Sequence, residues 1–323
     1  MLEFASVVKR ASRGEMAVGM ALPGLVGAPV DSRNRAGLLN EVIASEDLDF
    51  FVHHGGLADP DAPTGSIRLH NKALLYAVSD TERGAAAMRS VATNTGLIVP
   101  HDSIEVGMAE QTMDQAARPA VGKHRSASQI AVIVDLLASA YLADSEPAKE
   151  ITGELSRQQF KVMSALGAPY DVYSIDDLFH PRFPEYKVYV FLDIFYLSEA
   201  EQRRVDARVK RSDQIAVWLW APGLLTEAGV GAEFGQKTTG QKLRVEPGET
   251  SMRVKIVASD DPIVWGFHTG ATFGPDLAVA PTVTVVSRQT KRLGANSANK
   301  TVFSVQRFDH WTSVICGTIP APS

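Results

Sequence analysis

Two spacings of apolar residues alternate along the first hundred positions and predict alternating helices and strands. Helical spacing covers Phe4–Ser12, Arg35–Ala44 and, after a possible cap at Asp80, Thr81 to about Thr95, while short apolar runs predict strands at Met16–Leu22, Leu48–His53 and Ile67–Tyr76. This rhythm favours a parallel sheet with crossover helices.

The same alternation returns after residue 128, in a more regular form. Apolar runs predict strands at Gln129–Leu137, Tyr170–Ile175, Lys187–Leu192 and Gln214–Trp220, with helices at Gly153–Leu166 and from Ser198 to about Lys210. Ser198 and Glu201 have the spacing of a capping box. Four strands alternating with helices predict a flavodoxin-like, doubly wound sheet. From Gln241 onwards the chain changes to short β-like runs.

Between these two regions the sequence is polar and weakly patterned. Residues 116–128 include Pro119 and Gly122 and are interpreted as a linker. The predicted organisation is therefore a first domain over residues 1–115, the linker at 116–128, and a second domain over residues 129–323.

Composition narrows the possible partners and the compartment. A net charge of -5 with no dense Lys/Arg block gives no reason to expect a nucleic-acid or membrane-surface partner. No stretch is apolar enough to span a membrane, and the first residues lack the apolar core of a secretory signal. Cys316 is the only cysteine, so we expect no intramolecular disulfide and a cytoplasmic location.

The segment from Ala168 to Gly223 carries a family resemblance. Its Ala-Pro-Tyr-Asp-Val-Tyr-Ser-Ile-Asp-Asp-Leu, Pro-Glu-Tyr-Lys-Val-Tyr-Val-Phe-Leu-Asp and Ala-Val-Trp-Leu-Trp-Ala-Pro-Gly stretches resemble the glutamine-amidotransferase-like domain of family 42-type β-galactosidases. That domain follows a catalytic barrel and builds trimer contacts without chemistry of its own. The resemblance implies that residues 1–115 are the C-terminal part of a TIM-barrel-like (β/α)8 domain, matched at Ala44–Val52 and Ser66–Lys72.

The resemblance also suggests where a sugar would bind. Active sites of such barrels lie at the C-terminal ends of strands, which implies His53, His54, His70 and Lys72 as substrate-binding candidates. Plain loop-edge histidines, or a pairing of Lys72 with Asp80, are the alternatives. Adjacent histidines on a strand point to opposite faces, so we expect no metal site, and no motif calls for a cofactor.

The sequence departs from this resemblance at the catalytic carboxyls. A retaining glycosidase needs two carboxyls about 5 Å apart, and the glutamate expected after the His-x-Lys match falls on Ala77 or Val78. Glu82 is the nearby candidate nucleophile, although an acidic residue in the first turn of a helix explains it as well. Residues 1–115 are also short of the about 250 residues that an eight-stranded barrel typically needs.

We expect no glutaminase activity from the region that resembles an amidotransferase. The turn Trp220–Gly223, where a nucleophile would sit, holds neither Cys nor Ser, and Cys316 is interpreted as a structural thiol. Asp176, Asp177 and His180 are interpreted as turn and capping residues rather than a divalent-ion site.

Three hypotheses follow. The leading one is a glycoside hydrolase-related protein of the β-galactosidase class, catalytically impaired, whose second domain assembles a homo-oligomer, with a trimer suspected. The second is an active retaining hydrolase whose sites are completed by another chain. The third is a non-enzymatic carbohydrate-binding or assembly module.

Overall fold

The computed structural model describes residues 2–22, 40–53, 63–77, 96–98, 126–142, 151, 159–318 and 320. These residues form a mixed α/β structure with two main sheets, one of four strands and one of nine. No helix among them is long and apolar enough to cross a membrane.

The first sheet is parallel throughout, and its strands lie side by side in chain order. They are β1 (Gly19–Leu22), β2 (Phe50–His53), β3 (Ala73–Ala77) and β4 (Gly96–Ile98). The helices of this region are α1 (Leu2–Ala11), a helical stretch at 40–44, and α2 (Thr64–Leu69). The parallel sheet predicted for this part of the chain is confirmed, and within the described residues it is open rather than closed into a barrel.

The strand predicted at Ile67–Tyr76 is wrong in its first half. The structure instead has the short helix α2, a turn at Asn71 with φ 59°, and then β3. Ile67 and Leu69 alternate with polar residues as a strand would, but Gly65, Ser66, Ile67 and Leu69 are all buried in α2. Contacts between α2 and the second sheet therefore outweigh the strand preference that the alternating apolar and polar residues predict.

The second sheet joins a parallel half to an antiparallel half. Its strands are β5 (Ile130–Val134), β6 (Tyr170–Ser174), β7 (Val188–Phe191), β8 (Gln214–Leu219), β13 (Val254–Ile256), β14 (Thr272–Phe273), β17 (Lys291–Ala295), β18 (Thr301–Arg307) and β19 (Trp311–Cys316). They lie side by side in the order β14-β13-β17-β18-β19-β8-β7-β5-β6. The pairs from β19 to β6 are parallel, and the other pairs are antiparallel.

The order β6-β5-β7-β8-β19 is the second, first, third, fourth and fifth parallel strand of this region, as in doubly wound sheets of the flavodoxin kind. Around it lie α3 (Gln159–Ala165), α4 (Glu199–Val209) and α5 (Ala232–Thr239), and 3-10 turns at Ala138–Tyr141, Ile175–Phe179 and Pro262–Val264. Three two-stranded ribbons complete it: β9 (Leu225–Thr226) with β10 (Gly229–Val230), β11 (Leu243–Glu246) with β16 (Thr282–Val285), and β12 (Thr250–Ser251) with β15 (Ala278–Val279).

Aromatic side chains fill the centre of the larger sheet. Phe191 and Trp218 stack with their ring centroids 4.1 Å apart, and both are fully buried. Tyr189 is buried beside them, while Val188 and Val190 on the other face of β7 are only partly buried. Side chains thus alternate between the two faces of the sheet along β7, and burial of these rings stabilises the fold.

The capping box predicted at the start of α4 is confirmed. Ser198 Oγ accepts a hydrogen bond from Glu201 N at 3.2 Å, and Glu201 Oε2 accepts one from Ser198 N at 2.7 Å. Both bonds satisfy amide groups that the first turn of a helix leaves without partners.

Replacing Ser198 with alanine should lower the free energy of unfolding by about 1 kcal/mol, because one of these amides loses its acceptor. Urea unfolding followed by circular dichroism measures this change. Ser198→Asp is the matched control, since aspartate caps equally well and should leave stability unchanged. Equal losses in both variants would contradict the capping role.

Candidate functional site

The two sheets meet where α2 lies along the open edge of β6. Ser66 Oγ accepts a hydrogen bond from Ser174 N at 2.9 Å, which satisfies an edge amide of β6. A Cβ added to Gly65 would lie 2.6 Å from the carbonyl oxygen of Val172, so only glycine allows this approach. The Gly65-Ser66 pair therefore places the end of α2 against the second sheet.

A network of buried polar side chains stabilises this junction between α2 and the second sheet. Arg68 forms an ion pair with Asp171, whose side chain is almost fully buried. Tyr186 Oη donates to Asp171 Oδ2 at 2.9 Å and lies 2.7 Å from Tyr173 Oη. Burial raises the pKa of Tyr173 to about 12, so both phenols stay protonated and can donate.

An open cleft of about 490 Å³ lies beside the network. The helical stretch at 40–44 forms one wall, and the turn Ile175–Phe179 that follows β6 forms the other. The lining residues are Asn40, Glu41, Ile43, Ala44, His70, Asp176, Asp177, Phe179, His180 and Pro181. The cleft therefore draws residues from both halves of the chain.

His70 is one of the titratable residues that line this cleft. It follows α2, and its Nε2 lies 2.7 Å from Asp177 Oδ1. The ring of His180 packs edge-on against it, with centroids 5.4 Å apart. The pKa of His180 is lowered, first by burial and then by the neighbouring His70 and Arg182. Together, the His70–Asp177 pair and a neutral His180 can exchange hydrogen bonds with a polar ligand.

Asp176 forms the acidic side of the cleft. Its carboxylate accepts a hydrogen bond from Asn40 Nδ2 across the cleft. Burial raises the pKa of Asp176, and the nearby Glu201 and Asp177 raise it further. Each carboxyl of the Asp176-Asp177 pair therefore has a partner: Asp176 contacts the Asn40 amide, and Asp177 contacts the His70 imidazole. Asp176 and Asp177 lie in this turn, as interpreted from the sequence, but the residue that caps it is Ser174, which accepts a hydrogen bond from Asp176 N.

The other expected binding residues are separated from this cleft or lie outside the described part. His53 ends β2 and is fully buried. His70 and Lys72 precede β3, so they lie at its amino end and not at the carboxyl end that the predicted strand implied. His54, Asp80 and Glu82 are outside the described residues.

Lys72 has a structural contact that the sequence did not reveal. Its ammonium donates to the carbonyl oxygens of Ser45 at 2.6 Å and Leu48 at 2.5 Å. Two of its three donors are therefore used to hold the turn that leads into β2.

A second polar feature lies at the carboxyl edge of the parallel strands, and sequence reasoning did not identify it. Asp135 follows β5 and Asp193 follows β7, and Asp193 Oδ1 accepts a hydrogen bond from Asp135 N at 2.8 Å. Burial raises the pKa of Asp135 to about 7 and that of Asp193 to about 8. These strands are neighbours at the point where the strand order reverses, which is where open α/β sheets bind ligands. The sequence did contain one indication of this feature, since an aspartate follows each of the two apolar runs that form β5 and β7.

No metal centre and no glutaminase nucleophile is found in the described part of the chain. No group of three or more His, Cys, Asp or Glu residues among the described positions could hold a metal ion. Cys316 is buried in β19, where burial raises the pKa of its thiol to about 12. A thiol held protonated in this way is a poor nucleophile.

Comparison with known proteins gives a likeness of fold. No protein-family model and no curated sequence matches the chain. Among solved structures, the chain is similar to a β-galactosidase from the psychrophilic Marinomonas ef1, with a TM-score of 0.55 and 11% sequence identity. The likeness covers 98% of this chain and 55% of the β-galactosidase, so the chain spans about half the length of that protein. The chain thus shares a mixed α/β fold with part of that β-galactosidase.

Proposed function

We propose that this chain is a glycoside hydrolase-related protein of the β-galactosidase class, of the family 42 type, that assembles without hydrolysing glycosides on its own. One observation carries the proposal. A single likeness to a β-galactosidase extends over both the four-stranded sheet and the nine-stranded sheet. The α2 junction that links these sheets makes them parts of one structure.

In this proposal each sheet has a separate role. Residues 1–115 form part of a TIM-barrel-like domain, which the parallel strands in chain order support. Residues 129–323 form the amidotransferase-like domain that makes trimer contacts, joined by the linker at 116–128. A cytoplasmic location is part of the proposal and is supported by the single, buried cysteine.

The described strand ends support the absence of hydrolysis. A retaining glycosidase needs two carboxyls about 5 Å apart at the sugar. The last residues of β1 to β4 are Leu22, His53, Ala77 and Ile98, and none is acidic. In the cleft, Asp177 is paired with His70 and Asp176 with Asn40. Among the substrate-binding candidates, we assign sugar contact to His70, because it alone of the described ones lines the cleft.

The test is the mass of the full chain by light scattering, with aryl β-galactoside hydrolysis measured on the same fractions. A trimer without turnover is expected. Turnover that disappears in Glu82→Gln would contradict the proposal and identify an active retaining hydrolase. Turnover that survives Glu82→Gln would point to catalytic carboxyls supplied by other residues or by a second chain. A monomer at all concentrations would contradict the assembly role.

A further inference from the structure

The side chain of His180 stabilises a β-turn beside the cleft. Phe183 N donates to His180 O at 3.0 Å, so residues 180–183 form the turn, and Pro181 at its second position favours this conformation. Within the turn, His180 Nδ1 accepts a hydrogen bond from Arg182 N at 3.1 Å. A backbone amide can only donate, so Nδ1 carries no proton in this arrangement.

The side chain of Arg182 connects this turn to the end of α2. Its guanidinium donates to Leu69 O at 2.9 Å and to Asn71 Oδ1 at 3.5 Å. Leu69 is the last residue of α2, and the carbonyl groups in the last turn of a helix have no partner within the helix. The turn at 180–183 therefore supplies a hydrogen-bond donor that the end of α2 needs.

Several cationic or ionisable groups face His180. The ring of His70, which follows α2, packs edge-on against the ring of His180, with centroids 5.4 Å apart. From α4, Arg208 Nη2 donates to the carbonyl oxygen of His180 at 3.3 Å. The guanidinium of Arg182 belongs to the same turn. A proton on His180 would therefore place a further positive charge beside two guanidinium groups.

Three carboxyl groups face the same histidines from other sides of the cleft. Asp177 Oδ1 lies 2.7 Å from His70 Nε2, so this carboxylate already has an imidazole partner. Asp176 and Glu41 also line the cleft, and Asp176 is bonded to Asn40. The two closest carboxyls, Asp176 and Asp177, therefore each have a partner other than His180.

The folded chain resists protonation of His180. Burial is the largest cause of its lowered pKa, followed by His70 and Arg182, while Asp177 acts in the opposite direction. In an unfolded chain, histidine takes up a proton at about pH 6.5. A histidine whose pKa is lower in the folded state destabilises its surroundings as pH falls below that value, because the folded state binds the proton less readily.

We propose that His180 makes the contact between the end of α2 and the second sheet sensitive to acid. A proton on Nδ1 removes the acceptor of the Arg182 amide and leaves two N–H groups facing each other. The β-turn at 180–183 then opens, and the Arg182 guanidinium leaves Leu69 O. Because His70 and His180 both line the cleft, this change widens it.

The change is confined to the end of α2. Ser66 Oγ still accepts from Ser174 N, and Arg68 still pairs with Asp171, so the rest of the helix stays attached to β6. The expected response to acid is therefore local opening rather than unfolding of the chain. It does not rest on the proposed β-galactosidase class.

Hydrogen exchange of the full chain, followed by mass spectrometry and corrected for the intrinsic exchange rate, tests this response. The amides of His70, Asn71 and Lys72 all donate to carbonyl groups of α2, so a peptide that contains them reports on the end of the helix. Its protection should fall by about fivefold between pH 8 and pH 5, which is the loss expected for one hydrogen bond. A peptide that contains β7 should keep its protection and serves as the internal reference.

Two variants at the turn separate the proton from the hydrogen bond. In His180→Asn, Oδ1 can accept from Arg182 N as Nδ1 does but cannot be protonated, so protection of the end of α2 should be equal at both pH values. In Arg182→Met the guanidinium is absent, so protection should be low at both pH values. His310→Asn, at an exposed histidine, is the matched control and should keep the wild-type fall. Asp176→Asn should also keep it, although the raised pKa of Asp176 brings its titration closer to this range.

The proposal is overturned by any of three results. The first is equal protection of the wild-type end of α2 at pH 8 and pH 5. The second is a fall in His180→Asn or Arg182→Met as large as in the wild type, which would assign the acid response to another group. The third is loss of the fall in Asp176→Asn, which would assign it to that carboxyl. None of these results uses the hydrolysis assay, so this proposal and the β-galactosidase-class proposal can fail separately.

Discussion

Replacing Arg68 with methionine is expected to lower the free energy of unfolding by about 3 kcal/mol. The substitution keeps the length of the side chain but removes the cation that pairs with Asp171. Asp171 is buried in β6 and would keep only the hydrogen bond from Tyr186. A buried carboxylate without its counter-charge is costly, because burial removes the water that would otherwise solvate it.

Urea unfolding of the full chain measures this loss. Arg203→Met is the matched control, because Arg203 forms an exposed pair with Glu199 at 3.9 Å on α4 and should change stability by less than about 0.5 kcal/mol. If Arg68→Met cost no more than Arg203→Met, the junction would not depend on the ion pair. Limited proteolysis adds a local readout, since loss of the junction should expose α2 before the rest of the described chain.

The second large effect is a fall in stability as pH rises from about 4 to about 8. The pKa of Asp135 is raised to about 7 and that of Asp193 to about 8, mainly by burial. In the unfolded chain both titrate near 4. A carboxyl with a raised pKa stabilises the fold fully below its unfolded pKa, and this contribution is lost as pH rises through the folded value. We expect the free energy of unfolding to fall by several kcal/mol over this range, since each unit of raised pKa corresponds to about 1.4 kcal/mol.

Asp193→Asn isolates the source of this pH dependence. The amide oxygen can still accept from Asp135 N, but the side chain can no longer become charged. The variant should therefore be more stable than the wild type at pH 9 and should lose most of the slope. Asp309→Asn, at an exposed position, is the control and should keep the wild-type slope. Parallel slopes in Asp193→Asn and the wild type would exclude the buried pair as the cause. The lowered pKa values of Asp49 and Asp261 act at acidic pH and do not affect this window.

The sequence predicted most elements whose signal is local. The capping box at Ser198 and Glu201 has its cause within four residues, and β7 and β8 are short apolar runs between clear turns. The failure at Ile67–Tyr76 has a distant cause. Ser66 and Arg68 bond to Ser174 and Asp171, more than a hundred positions away, and these contacts stabilise a helix where alternation predicted a strand.

The candidate site was harder to predict from the sequence, because its contacts also join residues that are far apart in the chain. His70 was named as a ligand-binding residue, but its partner Asp177 and the facing Asn40 come from separate parts of the chain. Asp135 and Asp193 differ from surface aspartates only in burial, which a single sequence does not display. The roles of Glu82 and His54 remain predictions.

The position of α2 also limits how copies of this protein could join. By occupying the outer side of β6, α2 blocks the backbone groups through which a further strand would add at that end of the nine-stranded sheet. The opposite end is β14, only two residues long. A continuous ribbon built by strand addition needs two free ends on every copy. Because α2 covers one end of the sheet, strand addition between copies would stop after two copies have paired. This geometry protects the large sheet from fibre formation.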